Sequence, residues 1–303
     1  MVNQLVKRCR PLPAEATLLV LGAGFSGSRI ASLAKALGTR VITTNRLADA
    51  NDPEGSISFD SQLGRLASPD RLRSVTHLVS TIAPERDGQD PVLRCLGNQL
   101  RNMPLQWVGY LSTTGVYGDR QGQWVSETDP AVPTQERSKR RLACEQAWLR
   151  QALPVQILRL PGIYGPGRSP FQAIKRGEIR PIHKPGHRFS RVHVDDIAGA
   201  CMHLIDCAAS GRRPPIVNVC DDLPVEPAQV QHYAAELLGV SLPQNRPFAD
   251  ASTTMSPMAR SFWAEHRRVS NQLLCQELGY QLLHPDFRSG LRDCWEQEQH
   301  KSQ

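Results

Sequence analysis

Three glycines near the start of the chain have the spacing of a phosphate-binding turn. Gly22, Gly24 and Gly27 follow the apolar run 17–21 and precede a segment, 29–37, whose apolar residues recur at helical spacing. The first glycine permits a tight turn, the second lets the backbone approach a pyrophosphate, and the third lets a helix pack closely on a strand. The amides at the start of that helix then meet the anion. The pattern predicts a dinucleotide-binding turn; the alternative is an ordinary strand-to-helix turn with chance glycines.

The residues after the second predicted strand bear on which dinucleotide is bound. NAD sites place an acid about twenty residues beyond the glycines, whereas this chain reads Asn45-Arg46 there and has no acid before Asp49. A guanidinium at Arg46 would pair with a 2′-phosphate that a carboxylate would repel. We therefore predict NADP in preference to NAD, with a solvated loop arginine as the alternative at Arg46. Asp60, which closes the third predicted strand, either contacts the adenine amino group or caps a turn.

Predicted strands alternate with predicted helices along most of the chain, which is typical of a doubly wound parallel sheet. The strands are expected at 40–44, 56–60, 76–82, 106–112, 155–160 and 216–220, and the longest helices at 135–151 and 196–209. The predicted fold is therefore α/β, with a Rossmann-type doubly wound parallel sheet and a smaller, mostly helical C-terminal substrate lobe. The boundaries expected for these parts are 15–165 for the dinucleotide-binding domain, with 190–240 returning to it, and 166–189 plus 241–303 for the lobe.

Composition narrows the class of protein. The chain has 303 residues, a formal net charge of +7 and eight cysteines without a CxxC pair or metal-ligand spacing. This indicates reduced thiols, no metal site and a cytoplasmic protein, and no apolar run is long enough to span a bilayer. The mild positive charge suits an anionic small-molecule ligand better than nucleic acid, because the basic string 137–141 would spread around a helix rather than form one stripe. A homodimer is one option for the oligomeric state, which is left open.

An ordered set of further motifs resembles the extended short-chain dehydrogenase/reductase superfamily, in its epimerase/dehydratase branch. The motifs are Leu111-Ser112-Thr113-Thr114-Gly115-Val116-Tyr117-Gly118-Asp119, Arg159-Leu160-Pro161-Gly162-Ile163-Tyr164-Gly165-Pro166-Gly167, Val192-His193-Val194-Asp195-Asp196 and Asn218-Val219-Cys220-Asp221-Asp222. The resemblance covers nearly the whole chain. It implies a Rossmann fold and hydride transfer between a nicotinamide and a substrate carbon that bears oxygen.

The resemblance also implies catalytic positions, and one of them departs from the family pattern. The family uses a Ser or Thr after the fifth strand, which is Thr113 here, and a Tyr-x-x-x-Lys pair whose Lys holds the nicotinamide ribose. In this chain the Lys position is Lys139 and the Tyr position is Gln135. A primary amide has no titratable proton near neutrality, so Gln135 cannot act as the general acid or base, although it can donate a hydrogen bond.

Other side chains are candidates to replace the missing Tyr. Tyr117 and Tyr164 follow predicted strands at the edge where such folds bind ligands, with simple packing as the alternative for both. Asp90 precedes a predicted helix and would orient water or substrate, and Lys139 with a lowered pKa is a further option. His193 is expected to be mainly structural.

Two sets of binding residues follow from the motifs. The predicted cofactor set is Gly22, Gly24, Phe25, Ser26, Gly27, Asn45, Arg46, Asp60, Thr81, Ala83, Lys139 and Pro161. The predicted substrate set is Tyr164, Arg168, Arg188 and Arg191, with exposed surface arginines as the alternative. Nucleotide-sugar members of the family carry an Arg where this chain has Phe189. That departure and the shorter glycine turn resemble the atypical members of the superfamily.

Three functions are consistent with these features. The first is an NADP-binding oxidoreductase or epimerase that acts on the carbonyl, hydroxyl or sugar-like group of a small molecule. The second is a non-catalytic NADP-binding sensor, motivated by Gln135. The third and weakest is an RNA-binding protein, motivated by the positive charge.

Overall fold

The computed structural model describes residues 2–46, 56–66 and 69–301. The helices are α1 Val2–Val6, α2 Phe25–Ala36, α3 Pro91–Arg101, α4 Glu136–Leu149, α5 Phe171–Lys175, α6 Val194–Ala209, α7 Pro227–Leu237, α8 Phe248–Ser252, α9 Pro257–Trp263 and α10 Phe287–Lys301. The strands are β1 Thr17–Leu21, β2 Arg40–Asn45, β3 Ser56–Asp60, β4 Arg65–Leu66, β5 His77–Ser80, β6 Trp107–Thr113, β7 Trp124–Val125, β8 Val155–Leu160, β9 Gly162–Tyr164, β10 Ile182–His183, β11 Arg191–His193, β12 Ile216–Asn218, β13 Arg246–Pro247 and β14 Arg268–Val269.

One eight-stranded sheet forms the centre of the molecule, in the order β12-β8-β6-β5-β1-β2-β3-β4. All neighbouring strands are parallel except the pair β3 and β4. Strands β2 and β3 lie on one side of β1, and β5, β6 and β8 on the other, so the connections that leave the carboxyl ends of β1 and β5 run in opposite directions and leave a crevice there. The α/β, Rossmann-type doubly wound fold predicted from the sequence is confirmed.

The alternating side chains of the buried strands create a core on each face of the sheet. Leu18 and Val20 of β1 face one core, in which α2 and α6 supply Ile30, Leu33, Ile197 and Leu204. Leu19 and Leu21 face the other core, in which α3 and α4 supply Val92, Leu96, Cys144 and Trp148. Because every residue of β1 is buried, its unbroken apolar run is the pattern expected of a strand covered on both faces.

A separate apolar cluster marks the smaller lobe. Helices α5, α7 and α10 contribute to it Phe171, Ile174, Ala234, Ala235, Phe287, Leu291 and Cys294. The segment that returns to the main sheet includes α6, which packs on α2, and β12, which pairs with β8. The cluster thus joins α5 and α10, from the segments predicted to form the smaller lobe, to α7, which lies in the range 190–240 that was predicted to return to the main domain.

Two of the element ends that differ from the sequence prediction have a visible local cause. Helix α6 begins at Val194, ahead of the expected residue 196, because Nδ1 of His193 accepts a hydrogen bond from the Asp195 amide and caps the helix. Strand β12 ends at Asn218 rather than residue 220, and the amide of Asp221 instead donates to the carbonyl of Arg191.

Two global features concern the described residues. No helix among them combines the length and the apolar character needed to cross a bilayer. All eight cysteines lie in the described ranges, and all are free thiols.

Candidate active site

The glycine turn lies between β1 and α2, and each glycine has a distinct environment. Gly22 has a φ of +90°, in the left-handed region that favours glycine. A Cβ on Gly27 would lie 2.1 Å from the carbonyl oxygen of Gly22, so only glycine lets α2 approach the turn. A Cβ on Gly24 would meet nothing within 4 Å. The open space beside Gly24, at the start of a helix, is a cradle that fits the phosphates of a dinucleotide.

Hydrogen bonds from the neighbouring strands hold this turn in place. The amide of Gly22 donates to Oγ1 of Thr44 at 3.0 Å, and the amide of Ala23 donates to the Thr44 carbonyl at 2.9 Å. Oγ1 of Thr81 donates to the Gly22 carbonyl at 2.6 Å. Thr81, predicted to contact the cofactor, therefore contacts the turn itself, while Phe25 and Ser26 form the first turn of α2.

Further residues predicted to contact the cofactor lie at or beyond the ends of β2, β3 and β5. Asn45 and Arg46 are exposed where β2 ends, and the Arg46 carbonyl accepts a hydrogen bond from Oγ of Ser58. Oδ1 of Asp60 accepts from the amides of Gln62 and Leu63, so this carboxylate caps a turn. Ala83 is exposed beyond β5. Asp49 lies outside the described residues.

A cleft of about 580 Å³ opens where the carboxyl ends of β6 and β8 meet the smaller lobe. Thr113, Thr114 and Gly115 after β6 form one wall, and Pro161, Gly162 and Ile163 form another. The remaining lining residues come from Gln135 and α4, from Arg168 after β9, from residues 189–191, from the start of α7 and from the segment 261–269. The cleft has the size typical of a small-molecule site.

Helix α4 presents a different set of residues to the cleft than the sequence predicts. Gln135 is the N-cap, with φ −89° and ψ 138°, so the helix begins only at Glu136. Because Gln135 is extended, its spacing of four from Lys139 does not place both side chains on one helical face. Lys139 is exposed and its Nζ lies 2.8 Å from Oε1 of Glu136, so the structure does not bring Lys139 into the cleft. Gln135 does line the cleft, and its Nε2 donates to the Ser261 carbonyl at 2.7 Å.

The cleft-facing residues of α4 itself are Arg137, Ser138 and Arg141, which sequence reasoning missed. Nη1 of Arg141 donates to the hydroxyl of Tyr110 and to the carbonyls of Ile82 and Leu111, at the carboxyl ends of β5 and β6. Counting back from the buried Trp148 would have found these positions. The inward face of a helix recurs every 3.6 residues, which predicts Glu145 or Cys144, then Arg141, then Ser138 or Arg137.

Arg137 is exposed, lines the same cleft as Thr113 and contacts the roof. Its guanidinium carbon is 4.4 Å from the ring centroid of Phe262, and Nη1 is 3.1 Å from Sδ of Met258. Oγ1 of Thr113 accepts from the amide of Gly115 at 3.1 Å, which leaves the hydroxyl proton available to a substrate oxygen. The cleft thus combines a hydroxyl donor with a permanently charged guanidinium.

The other candidates for a catalytic acid are buried away from this cleft. The hydroxyl of Tyr117 donates to Oδ1 of Asn218 at 2.8 Å, and burial raises the pKa of Tyr117. Tyr164 packs edge-on against His193, and burial raises its pKa as well. Asp90 caps α3 by accepting from the amides of Val92 and Leu93 and from Nε1 of Trp148. The structure places all three in structural contacts rather than in the cleft.

Of the arginines predicted to bind substrate, Arg168 and Arg191 line the cleft and Arg188 does not. The guanidinium of Arg168 lies 5.5 Å from the centroid of the Phe25 ring, beside the start of α2. Arg188 is exposed, and its backbone amide donates to Nε2 of His266. Phe189 contributes a ring to the lining of the cleft.

The segment from α9 to β14 forms the roof and supplies two further charged residues. Oε1 of Glu265 accepts from Oγ1 of Thr134 at 2.7 Å, and Oε2 pairs with Nη1 of Arg267 at 2.8 Å. Arg267 also donates to the carbonyl of Gly118. No sequence motif pointed to these residues, because their role depends on contacts with α4 and with the loop after β6.

A buried ionic cluster connects three helices. Arg29 of α2 binds both carboxylate oxygens of Asp195 on α6. Nε2 of His193 lies 3.4 Å from Oδ2 of Asp293 on α10. Burial lowers the pKa of His193 to about 3, so the ring is neutral and its two nitrogens serve the Asp195 amide and this carboxylate. These contacts support the prediction that His193 is structural.

The protein is similar to known proteins along most of its length. The model of the NAD dependent epimerase/dehydratase family matches residues 18–220. The protein YeeZ of Escherichia coli (strain K12) is 29% identical over 290 residues, which cover 88% of this chain and 96% of YeeZ. A conserved protein of unknown function from Silicibacter pomeroyi DSS is 41% identical, with a TM-score of 0.82 over 93% of this chain and 99% of that one. The human epimerase family protein SDR39U1, solved with NADPH, has the same fold at 19% identity, with a TM-score of 0.74 over 92% of this chain and 99% of that one.

Proposed function

This chain belongs to the NAD dependent epimerase/dehydratase family, and from that membership we propose that it is an NADP-dependent oxidoreductase acting on the carbonyl or hydroxyl group of a small molecule. The observation that carries the proposal is the meeting of Thr113, Arg137 and Arg141 in one cleft. Family membership and the glycine turn support a nicotinamide dinucleotide as cofactor. The choice of NADP rests on Arg46.

The chain's own residues supply binding and charge rather than a proton. Gly22, Gly24 and Gly27 would hold the phosphates, and Arg141 and Pro161 would hold the nicotinamide end. A bound nicotinamide dinucleotide supplies or accepts a hydride. Thr113 and Arg137 would bind the substrate oxygen, and the guanidinium would stabilise the negative charge that develops on that oxygen when a carbonyl is reduced.

The lining of the cleft favours this electrostatic role over general acid catalysis. Among the described residues that line it there is no Tyr, His, Lys or Cys. An arginine stays protonated in proteins, so Arg137 cannot donate its proton and then recover it as a Tyr does. Both carboxylate oxygens of Glu265 already accept hydrogen bonds. The proton for the product hydroxyl would therefore come from water.

Replacing Arg137 with glutamine tests the proposal. The native protein is expected to oxidise NADPH with members of a panel of small carbonyl compounds, and Arg137→Gln is expected to lower kcat about 10²- to 10³-fold, as loss of an oxyanion-stabilising donor does. Arg140→Gln is the control, because Arg140 is on the same helix but outside the cleft. A loss of activity in Lys139→Gln but not in Arg137→Gln would contradict the assignment.

The same experiment separates an enzyme from a sensor. NADPH at a hundredfold excess over its Kd stabilises a protein by about 2.7 kcal/mol whether or not turnover follows. Strong thermal stabilisation by NADPH, without turnover of any compound in the panel, would contradict the proposed enzymatic function. It would favour a non-catalytic NADP-binding protein.

The preference for NADP predicts a specific change at the end of β2. Arg46→Ala is expected to raise the Kd of NADPH about 10- to 100-fold and leave that of NADH unchanged, because a hydrogen bond to a charged group contributes about 1.5–3 kcal/mol. Arg40→Ala is the matched control, since Arg40 is exposed at the opposite end of the same strand. Fluorescence titration with each cofactor measures the ratio of the Kd of NADPH to the Kd of NADH. An equal effect on NADH and NADPH would contradict a 2′-phosphate contact.

A further inference from the structure

The cleft carries more positive charge than its own carboxylates balance. Five arginines line it, of which Arg267 pairs with Glu265. Within the described residues the other four, Arg137, Arg141, Arg168 and Arg191, form no ion pair with a carboxylate. Uncompensated guanidinium groups in a partly enclosed site favour an anionic ligand.

A dinucleotide in the proposed position accounts for two of these four arginines. Arg168 lies over the ring of Phe25 at the first residue of α2, which is the phosphate end of the site. Arg141 donates to the carbonyls of Ile82 and Leu111 at the ends of the central strands, which is the nicotinamide end. Arg137 and Arg191 remain without a partner from the cofactor.

Arg191 lies at the start of β11, and backbone carbonyls are its hydrogen-bond acceptors. Its Nη1 donates to the carbonyl of Phe189 at 2.9 Å and to that of Val225 at 3.4 Å. The acid that interacts with it is the buried Asp221, whose backbone amide donates to the Arg191 carbonyl at 2.8 Å. Burial raises the pKa of Asp221 to about 8, which favours its neutral form and weakens its compensation of the charge on Arg191.

Arg137 lines the same cleft from a different element. It projects from α4 and is exposed, and its guanidinium carbon lies 4.4 Å from the ring centroid of Phe262, while Arg191 is the first residue of β11. Phe189 and Phe262 add apolar surface to the lining between them. A planar guanidinium fork binds the two oxygens of a carboxylate or phosphate with parallel hydrogen bonds, and two forks from different walls would fix the orientation of such a group.

We infer that the substrate carries an oxyanionic group, a carboxylate or a phosphate, which Arg137 and Arg191 bind beneath Phe262. This inference rests on the proposed function, because it assumes that Arg141 and Arg168 contact the bound cofactor. Arg137 would then lie between the two groups of the substrate, and its guanidinium would contact both the reacting oxygen and the anionic group. The substrate is therefore a compact oxo or hydroxy acid, or a phosphorylated carbonyl compound.

Binding of small anions to the whole protein tests the inference without turnover. Succinate and inorganic phosphate are titrated by calorimetry and by thermal shift, with and without NADP, and succinamide serves as the uncharged analogue of succinate. At least one anion is expected to bind and to raise Tm both with and without NADP, while succinamide does neither. Binding of succinate alone identifies a carboxylate site, and binding of phosphate alone identifies a phosphate site.

Variants assign the binding to the two arginines. Arg137→Gln is expected to raise the Kd of the anion about 10- to 100-fold. Arg191→Lys keeps the charge but loses the planar guanidinium, and it is expected to raise this Kd about tenfold. Arg188→Gln is the matched control, because Arg188 is exposed and outside the cleft. The unliganded Tm of each variant shows that it is folded.

Three results would overturn the inference: no anion binds better than succinamide, the effect disappears when NADP is added, or Arg188→Gln weakens binding as much as Arg137→Gln. The second result would place the anion in the phosphate site of the cofactor. Each of the three results is compatible with the proposed function if NADPH binds and a neutral carbonyl compound is reduced. Failure of NADPH to bind would refute the proposed function, whatever the anions do.

Discussion

Replacing Glu145 with alanine is expected to lower the free energy of unfolding by about 3–5 kcal/mol, because it leaves a buried guanidinium without its counter-charge. The side chains of Glu145 and Arg159 are only 1% and 3% exposed, and Nη2 of Arg159 lies 2.7 Å from Oε2 of Glu145. The hydroxyl of Ser112 also donates to Glu145. Urea denaturation followed by circular dichroism measures the loss.

An exposed ion pair on the same helix provides the control. Glu136 pairs with Lys139 at the surface of α4, so Glu136→Ala is expected to leave the urea midpoint unchanged. The pair Glu145 and Arg159 joins α4 to β8 directly below the cleft, and Arg159 also lies 4.7 Å from the ring centroid of Tyr117. A loss below about 1 kcal/mol in Glu145→Ala, the range of surface pairs, would show that the pair is solvated rather than buried.

Gly27→Ala is expected to weaken NADPH binding roughly 10- to 100-fold and to destabilise the protein by about 1–3 kcal/mol. The added Cβ would lie 2.1 Å from the Gly22 carbonyl oxygen, and a backbone atom cannot rotate away from it. Helix α2 must then move away from β1, which widens the turn that holds the phosphates. Calorimetry with NADPH and thermal unfolding of the unliganded protein measure the two effects.

Gly24→Ala separates the role of the turn in binding from its role in folding. A Cβ on Gly24 meets nothing within 4 Å, and its φ of −78° suits any residue, so the unliganded Tm is expected to be that of the native protein. The added methyl group would nevertheless occupy the space beside the phosphates, so we expect it to weaken the binding of NADPH. Gly97→Ala, which also meets nothing within 4 Å but lies on α3, is expected to leave NADPH binding unchanged. Native affinity in Gly24→Ala would place the phosphates elsewhere.

The sheet was predictable from the sequence because its strands are short apolar runs separated by glycine, proline and polar turns. Strands β3 and β8 have the predicted bounds, and α4 begins and ends within two residues of the prediction. The glycine turn was also predictable from the sequence, because its function depends on backbone contacts within one strand and the helix that follows it.

The positions of the charged groups in the cleft were harder to predict, because they depend on where α4 starts. A motif count placed Gln135 and Lys139 one turn apart, but the helix begins after Gln135, and the cleft receives Gln135, Arg137 and Arg141 rather than Lys139. Tyr117 illustrates a second limit: its hydroxyl is committed to Asn218, a contact between distant parts of the chain that no local pattern reveals.

The return of the chain to the main sheet has a consequence for biosynthesis. Helix α6, which covers one face of the sheet together with α2, spans Val194–Ala209, and the edge strand β12 ends at Asn218. During translation the dinucleotide-binding half therefore keeps an uncovered apolar face until the first segment of the smaller lobe has already left the ribosome. We therefore expect this face of the sheet to be buried only after α6 has been synthesised.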